Sequence, residues 1–151
     1  LGCGVAPVAE LRAAGIRVGI GTDSPASTPS FDMFEETRAA LFAARAREQT
    51  PAGLSAADVL RMATLDGARA LGLEPSVGSL RPGKQADVTV LSVAGSSFDP
   101  VEDPAAAAVY AGSPDRVIAT LVGGEDRYRR DSDRWHDLRR AARAARRAML
   151  P

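Results

Sequence analysis

The chain has 151 residues, is 45% hydrophobic and 25% charged, and balances nineteen basic against nineteen acidic side chains for a net charge of zero. That length holds one domain or two small ones, and the composition is that of a globular protein, without the low-complexity bias of a disordered one. A single cysteine, Cys3, excludes an internal disulfide and fits a reducing, cytoplasmic compartment. No apolar run approaches the roughly 20 residues that span a bilayer, and no secretory signal is visible. The first residue is not Met, and Leu1-Gly-Cys-Gly4 reads as the middle of a loop, so the expectation is a piece of a longer chain. Charge is unevenly spread: nine arginines against three aspartates give +6 from Arg127 onward, leaving −6 on the 126 residues before it.

Val8, Leu11 and Ala14 recur at helical spacing, and Gly15 follows as a C-terminal cap would. Val18-Gly-Ile-Gly-Thr-Asp-Ser24 then reads as the end of a buried strand, Arg17–Thr22, opening into a loop at Asp23. Helix, glycine and short strand make one αβ step of a parallel sheet or barrel. The carboxyl ends of such strands are where α/β proteins gather their chemistry, because the loops there converge over an open mouth. Asp23 is therefore the first candidate for a working residue, although Asp-Ser-Pro is also good turn chemistry. Ser24, Ser27 and Thr28 follow on the same loop, placed either to bond a substrate or to satisfy loop backbone.

Ser30 is expected to cap a helix to about Arg47, with Asp32, Glu35 and Glu36 in its first turns. Met33, Phe34, Thr37, Ala40, Leu41 and Ala44 form its apolar face, a core stripe. Gln49–Gly53 is a linker. Ser55-Ala-Ala-Asp58 has capping-box spacing at the head of the next helix, and Thr64 is expected to cap a short one over Leu65–Leu71. Pro82-Gly83 suits a type II turn, and Ala86–Leu91 is a plain strand. Asp103–Tyr110 suits a short alanine-rich helix. Arg116–Val122, the turn Gly123-Gly124 and the charged Glu125–Arg130 form a hairpin whose second strand suits a sheet edge. Asp133 starts a final amphipathic helix, expected to pack Trp135, Leu138 and Ala142 against the body and leave its arginines solvated. Its lone His136 has no second ligand one turn away and is no metal site.

Two stretches carry a resemblance. Gly15–Ser24 followed by Phe31-Asp-Met-Phe-Glu-Glu-Thr-Arg38 is similar to the last barrel strand and helix of the amidohydrolase superfamily. The subgroup it resembles is the aminohydrolases: S-adenosylhomocysteine/methylthioadenosine deaminases, guanine deaminases and s-triazine hydrolases. Ala63–Leu73 and Val77–Leu91 resemble the helix and the return into a small β domain that follow in these enzymes. The resemblance covers about residues 5–124 and implies an α/β fold: the C-terminal part of a metal-dependent (β/α)8 barrel over residues 1–74 and part of a composite β-sandwich over 75–130, to which the sequence pattern adds a basic amphipathic helix over 131–151. It implies that Asp23 lies beside or ligates a divalent metal, most simply zinc, with iron or manganese as alternatives, and accepts a proton from activated water. Ser24 is the candidate substrate contact. The substrate expected is a small purine-like heterocycle that loses ammonia, with neither nucleic acid nor membrane as partner and a homodimer as the expected assembly. The family's histidine ligands and acidic Glu belong to earlier strands and are absent here, so this piece alone is expected to be inactive. Two other readings stand beside deamination: hydrolysis of a cyclic amide or a triazine halide, and a non-catalytic module that binds through the basic helix.

Overall fold

The computed structural model describes residues 3–149; Leu1 and Gly2, at the start of the expected opening loop, and Leu150 and Pro151, at the end of the expected final helix, lie outside them. The elements in order are α1 (Val8–Ala13), α2 (Met33–Glu48), α3 (Ala56–Met62), α4 (Leu65–Ala70), β1 (Val88–Leu91), α5 (Pro104–Ala106), β2 (Val117–Val122), β3 (Glu125–Arg129) and α6 (Asp133–Met149). Mixed helix and strand make this an α/β chain, as expected. A π-helical turn, Ala107–Ala111, continues α5.

Local capping explains where most helices begin. The Asp32 carboxylate accepts from the Phe34 N–H at 2.8 Å and caps α2, two residues later than Ser30, the expected cap. Ser30 Oγ instead donates to Glu35 Oε2 at 2.8 Å, so its hydroxyl is engaged on the surface. A carboxylate that reaches the orphan N–H groups is the stronger cap at a helix start, where the dipole favours negative charge. Ser55 and Asp58 form the reciprocal capping box of α3, as their spacing predicts. Thr64 does not cap α4. Its Oγ1 donates back to the Leu60 carbonyl at 2.7 Å, an alternative that its backbone conformation favours. The type II turn is present: Lys84 N–H reaches the Arg81 carbonyl at 3.2 Å, with Gly83 at φ +89°.

The core lies between α2, α3 and the π-helical turn, where Leu41, Ala44, Leu54, Val59, Met62 and Val109 are buried. Thr37, also buried, donates from Oγ1 to the Phe34 carbonyl at 2.9 Å and so is satisfied. Two arginines of α2 clasp this unit. Arg45 donates to the Leu54 carbonyl at 3.1 Å through both Nε and Nη2, closing the linker. Arg38 Nη1 donates to the carbonyls of Val109 and Gly112, at 3.0 and 2.7 Å. A guanidinium, with five donors in a fixed fork, can satisfy several carbonyls at once, and those two reach across 71 and 74 residues of sequence.

The three strands form one antiparallel sheet in the order β1-β2-β3, with Val88 opposite Leu121 and Thr120 opposite Tyr128. The charged strand β3 is an edge, as its composition predicts. Among the described residues no helix is long and apolar enough to cross a membrane.

Two further expectations are corrected. Residues 17–22 are extended but are no strand. Their single backbone hydrogen bond among the described residues runs from Ile20 N–H to the Met62 carbonyl, at 3.4 Å. A parallel strand takes its ladder from strands on either side, and none flanks this one among the described residues. Val18 and Ile20 are accordingly half-buried at the margin of the core. Helix α6, in turn, has no buried residue. Trp135 is half-buried, its ring edge-on to Tyr128 with centroids 5.0 Å apart, while Leu138 is 52% exposed and Ala142 is exposed. The stripe beyond Trp135 is mostly alanine, which has little apolar area to bury, so among the described residues the helix meets the sheet chiefly through Trp135, beside Tyr128 and Val117.

Candidate functional site

The candidate site grows from the turn that ends α1. Gly15, at φ +76°, donates its N–H to the Arg12 carbonyl and reverses the chain. The extended segment Ile16–Thr22 then runs along the corner between α3 and α4. Three contacts hold it there. Arg17 Nη1 donates to the Arg69 carbonyl at 3.2 Å. Gly19 lies against Gly67, so close that a Cβ on Gly19 would stand 2.9 Å from the Gly67 Cα and 3.7 Å from the Met62 carbonyl oxygen. Ile20 N–H points at that same oxygen.

Asp23 stands at the far end of this segment, exposed to solvent, with φ +58°. A non-glycine residue in the left-handed region carries strain of about 1 kcal/mol or more, and such strain persists only where the surroundings hold it. The hydrogen bonds that close the following turn run from the N–H groups of Ser27 and Thr28 to the Ser24 carbonyl, at 2.9 and 3.1 Å. The turn is thus built on Ser24, and the Asp23 carboxylate faces water. Ser24 and Ser27 are exposed beside it.

The remaining candidates are scattered. Cys3 is a free, exposed thiol. His136 is exposed on α6, one residue from the Trp135 anchor. No three His, Cys, Asp or Glu side chains come together to hold a metal among the described residues. Asp23 by itself therefore falls short of the three or so protein ligands that a catalytic metal takes, and these residues alone do not make a metal site. A surface cleft of about 280 Å³, lined by Arg12, Arg17, Asp66 and Arg69 among others, opens at the start of the extended segment and does not include Asp23.

Electrostatics stiffen the frame around the segment. Asp58 accepts from Ser55 Oγ at 2.6 Å, from Ser55 N–H at 3.0 Å and from Arg12 Nη2 at 2.8 Å, so α3 is tied to α1 on the near side of the segment. Those donors hold the Asp58 carboxyl below its ordinary range, Ser55 Oγ most strongly, then the Ser55 N–H and the Arg12 guanidinium. Glu10 is also lowered, by its own backbone N–H first and by Arg47 next.

The motif containing Asp23 is legible in the sequence; the seat beneath it is less so. A glycine inside an apolar extended run signals close backbone approach, so Gly19 is visible as a type of position. Its partner Gly67, 48 residues on inside α4, carries no local sign of the contact.

Comparison with known proteins agrees with these motifs. The chain is 42% identical over 125 residues to a 5-methylthioadenosine/S-adenosylhomocysteine deaminase of Moorella thermoacetica, covering 83% of this chain and 29% of that protein. It is 42% identical to the corresponding deaminase of Desulforudis audaxviator, covering 97% of this chain and 35% of that one. Among solved structures, an adenosine deaminase from Xanthomonas campestris with bound zinc matches 94% of this chain and 33% of its own, with a TM-score of 0.80 and 33% identity. A triazine hydrolase from Arthobacter aurescens matches 99% and 33%, with a TM-score of 0.84 and 34% identity. The chain thus spans about a third of the length of the relatives it matches. Residues 1–126 match the amidohydrolase family, and the chain belongs to it.

Proposed function

We propose that this chain is the C-terminal part of a metal-dependent aminohydrolase that removes ammonia from an adenosine-like nucleoside, with Asp23 as the catalytic residue it contributes. The observation that carries this reading is Asp23 itself. It is an exposed, backbone-strained carboxylate at the end of an anchored apolar segment, inside the stretch that matches the family. Relatives named for deamination of 5-methylthioadenosine and S-adenosylhomocysteine support the substrate class, and a zinc-bound neighbour supports a divalent metal. That metal would be held mainly by residues outside this chain.

Asp23 is suited to hold and move a proton. An ionised carboxylate within hydrogen-bond reach of the attacking water takes its proton and later delivers it to the departing amine, the usual work of a general base and acid. Ser24, next on the chain, is the candidate hydrogen-bond partner for the substrate. In this reading residues 1–74 close the barrel, 75–130 belong to a β-sandwich, and 131–151 form a basic helix at its side.

The test is Asp23→Asn in the full-length gene product. Ammonia release from 5-methylthioadenosine is expected to fall at least a thousandfold while thermal unfolding stays within about 2 °C of wild type, since Asn is nearly the same shape as Asp and shares its tolerance of the left-handed backbone. Undiminished turnover would end the proposal. The triazine hydrolase match favours one alternative. Release of halide from a chlorinated triazine, with none of ammonia from the nucleoside, would establish it.

A further inference from the structure

We propose that Pro25 is a positioning residue that holds the Asp23 carboxylate in place from the loop side; the inference rests on Asp23 being the catalytic group. The Ser24 carbonyl accepts from the Ser27 N–H at 2.9 Å and from the Thr28 N–H at 3.1 Å. The first bond closes a β-turn over Ser24-Pro25-Ala26-Ser27, with proline at its second position. Among the described residues Asp23 and Gln49 are the non-glycine positions with positive φ. Ala26 is therefore not one, and the turn is not type II, which needs positive φ at its third residue. Type I geometry remains, and the second bond, one residue further on, fits it. Proline is favoured at the second position of such a turn because its ring fixes φ at about −65°, the angle that position takes.

What proline supplies here is stiffness. Another residue at this position loses backbone freedom whenever the turn closes, whereas proline has little left to lose. It also disfavours helical backbone at the residue before it, here Ser24. Ser24 alone separates Pro25 from Asp23, which is held left-handed at φ +58°, a conformation open to Asp at a cost. When the turn opens, Asp23 is free to relax to the commoner negative φ, and its side chain swings with it. Misplacing a reacting group by about 1 Å can cost about 10²-fold in rate. The fraction of time the turn stays closed therefore bears directly on turnover.

The experiment uses the full-length gene product with 5-methylthioadenosine, measuring kcat, KM, thermal unfolding and millisecond hydrogen exchange at the Ser27 and Thr28 amides. Pro25→Ala removes no hydrogen bond and fits the same backbone angles, so the variant folds. It is expected to lower kcat about two- to fivefold, the population change that matches the entropy proline removes. Pro25→Gly, freer still, is expected to lower kcat about tenfold. KM should change less than kcat, because a displaced carboxylate weakens the chemical step more than binding, and exchange at the two amides should quicken in the same order. Pro29→Ala is the control: it lies on the same loop, past the last hydrogen bond of the turn. Its thermal unfolding should fall about as much as that of Pro25→Ala, with kcat and amide exchange as in wild type. An inactive Asp23→Asn alongside wild-type kcat in both Pro25 variants would overturn this inference and leave the function standing. Equal kcat losses in Pro29→Ala and Pro25→Ala would overturn it too, by reducing the effect to stability, as would unchanged amide exchange in Pro25→Gly. An active Asp23→Asn would overturn both.

Discussion

Replacing Asp58 with Ala should destabilise the protein, and the loss should depend on pH. Three donors meet this carboxylate: the Ser55 hydroxyl and N–H of the capping box, and the Arg12 guanidinium of α1. The Ser55 cap on the Asp58 N–H survives the substitution, so what is lost is the carboxylate's half of the box, two hydrogen bonds from Ser55 worth together about 1 kcal/mol. The Arg12–Asp58 pair is about one-third exposed on each side, so it contributes only about 0.5 kcal/mol after solvent screening. The sum is about 1–2 kcal/mol, or about 3–6 °C in Tm for a chain of this size. The sign with pH follows from the lowered folded pKa of Asp58. Its contribution is fully present above the unfolded carboxyl value of about 3.9 and is lost as pH falls through the folded value. Urea unfolding of wild type and Asp58→Ala at pH 7 and pH 2.5 reads both effects. A difference under about 0.3 kcal/mol at pH 7, well below the expected worth of the carboxylate's hydrogen bonds, would refute the energetic assignment. An equal difference at both pH values would refute the electrostatic one.

Leu41, fully buried in the core between α2 and α3, should cost about 2–5 kcal/mol when truncated to Ala; a urea midpoint within error of wild type would show that the site collapses or is not core. Trp135→Ala should release α6. Amides of residues 136–149 should then exchange much faster, because a solitary helix of this length is marginal in water, and unchanged protection would show that something other than the Tyr128 contact anchors it.

The elements that local chemistry decides are legible in the amino-acid sequence. The capping box at Ser55 and Asp58, the glycine stop after α1, the Pro82-Gly83 turn and the charged edge strand each depend on residues a few positions apart. All lie where the sequence places them. Asp23 is legible in the same way, since an apolar run ending in Gly-Thr-Asp marks where an extended segment opens into a loop within one short motif. The helix start at α2 differs from its expected place by two residues because Ser30 and Asp32 are both competent caps, and only the fold shows which one reaches the free N–H groups.

Other features require the tertiary structure, because each depends on a partner distant in sequence. Apolar residues over Arg17–Thr22 state that the segment is to be covered, but not by what; among the described residues α3 and α4 lie against it. The apolar side of α6 states an amphipathic helix, yet alanines bury so little area that among the described residues it meets the sheet chiefly through Trp135. Arg38 and Arg45 lie off the apolar stripe of α2, and become clasps only once the chain brings Val109, Gly112 and Leu54 to them. By itself, then, the sequence determined the motif that carries Asp23 and the caps and turns around it. Only the tertiary structure brings the segment before Asp23 against α4, since Gly19 and Gly67, 48 residues apart, meet backbone to backbone.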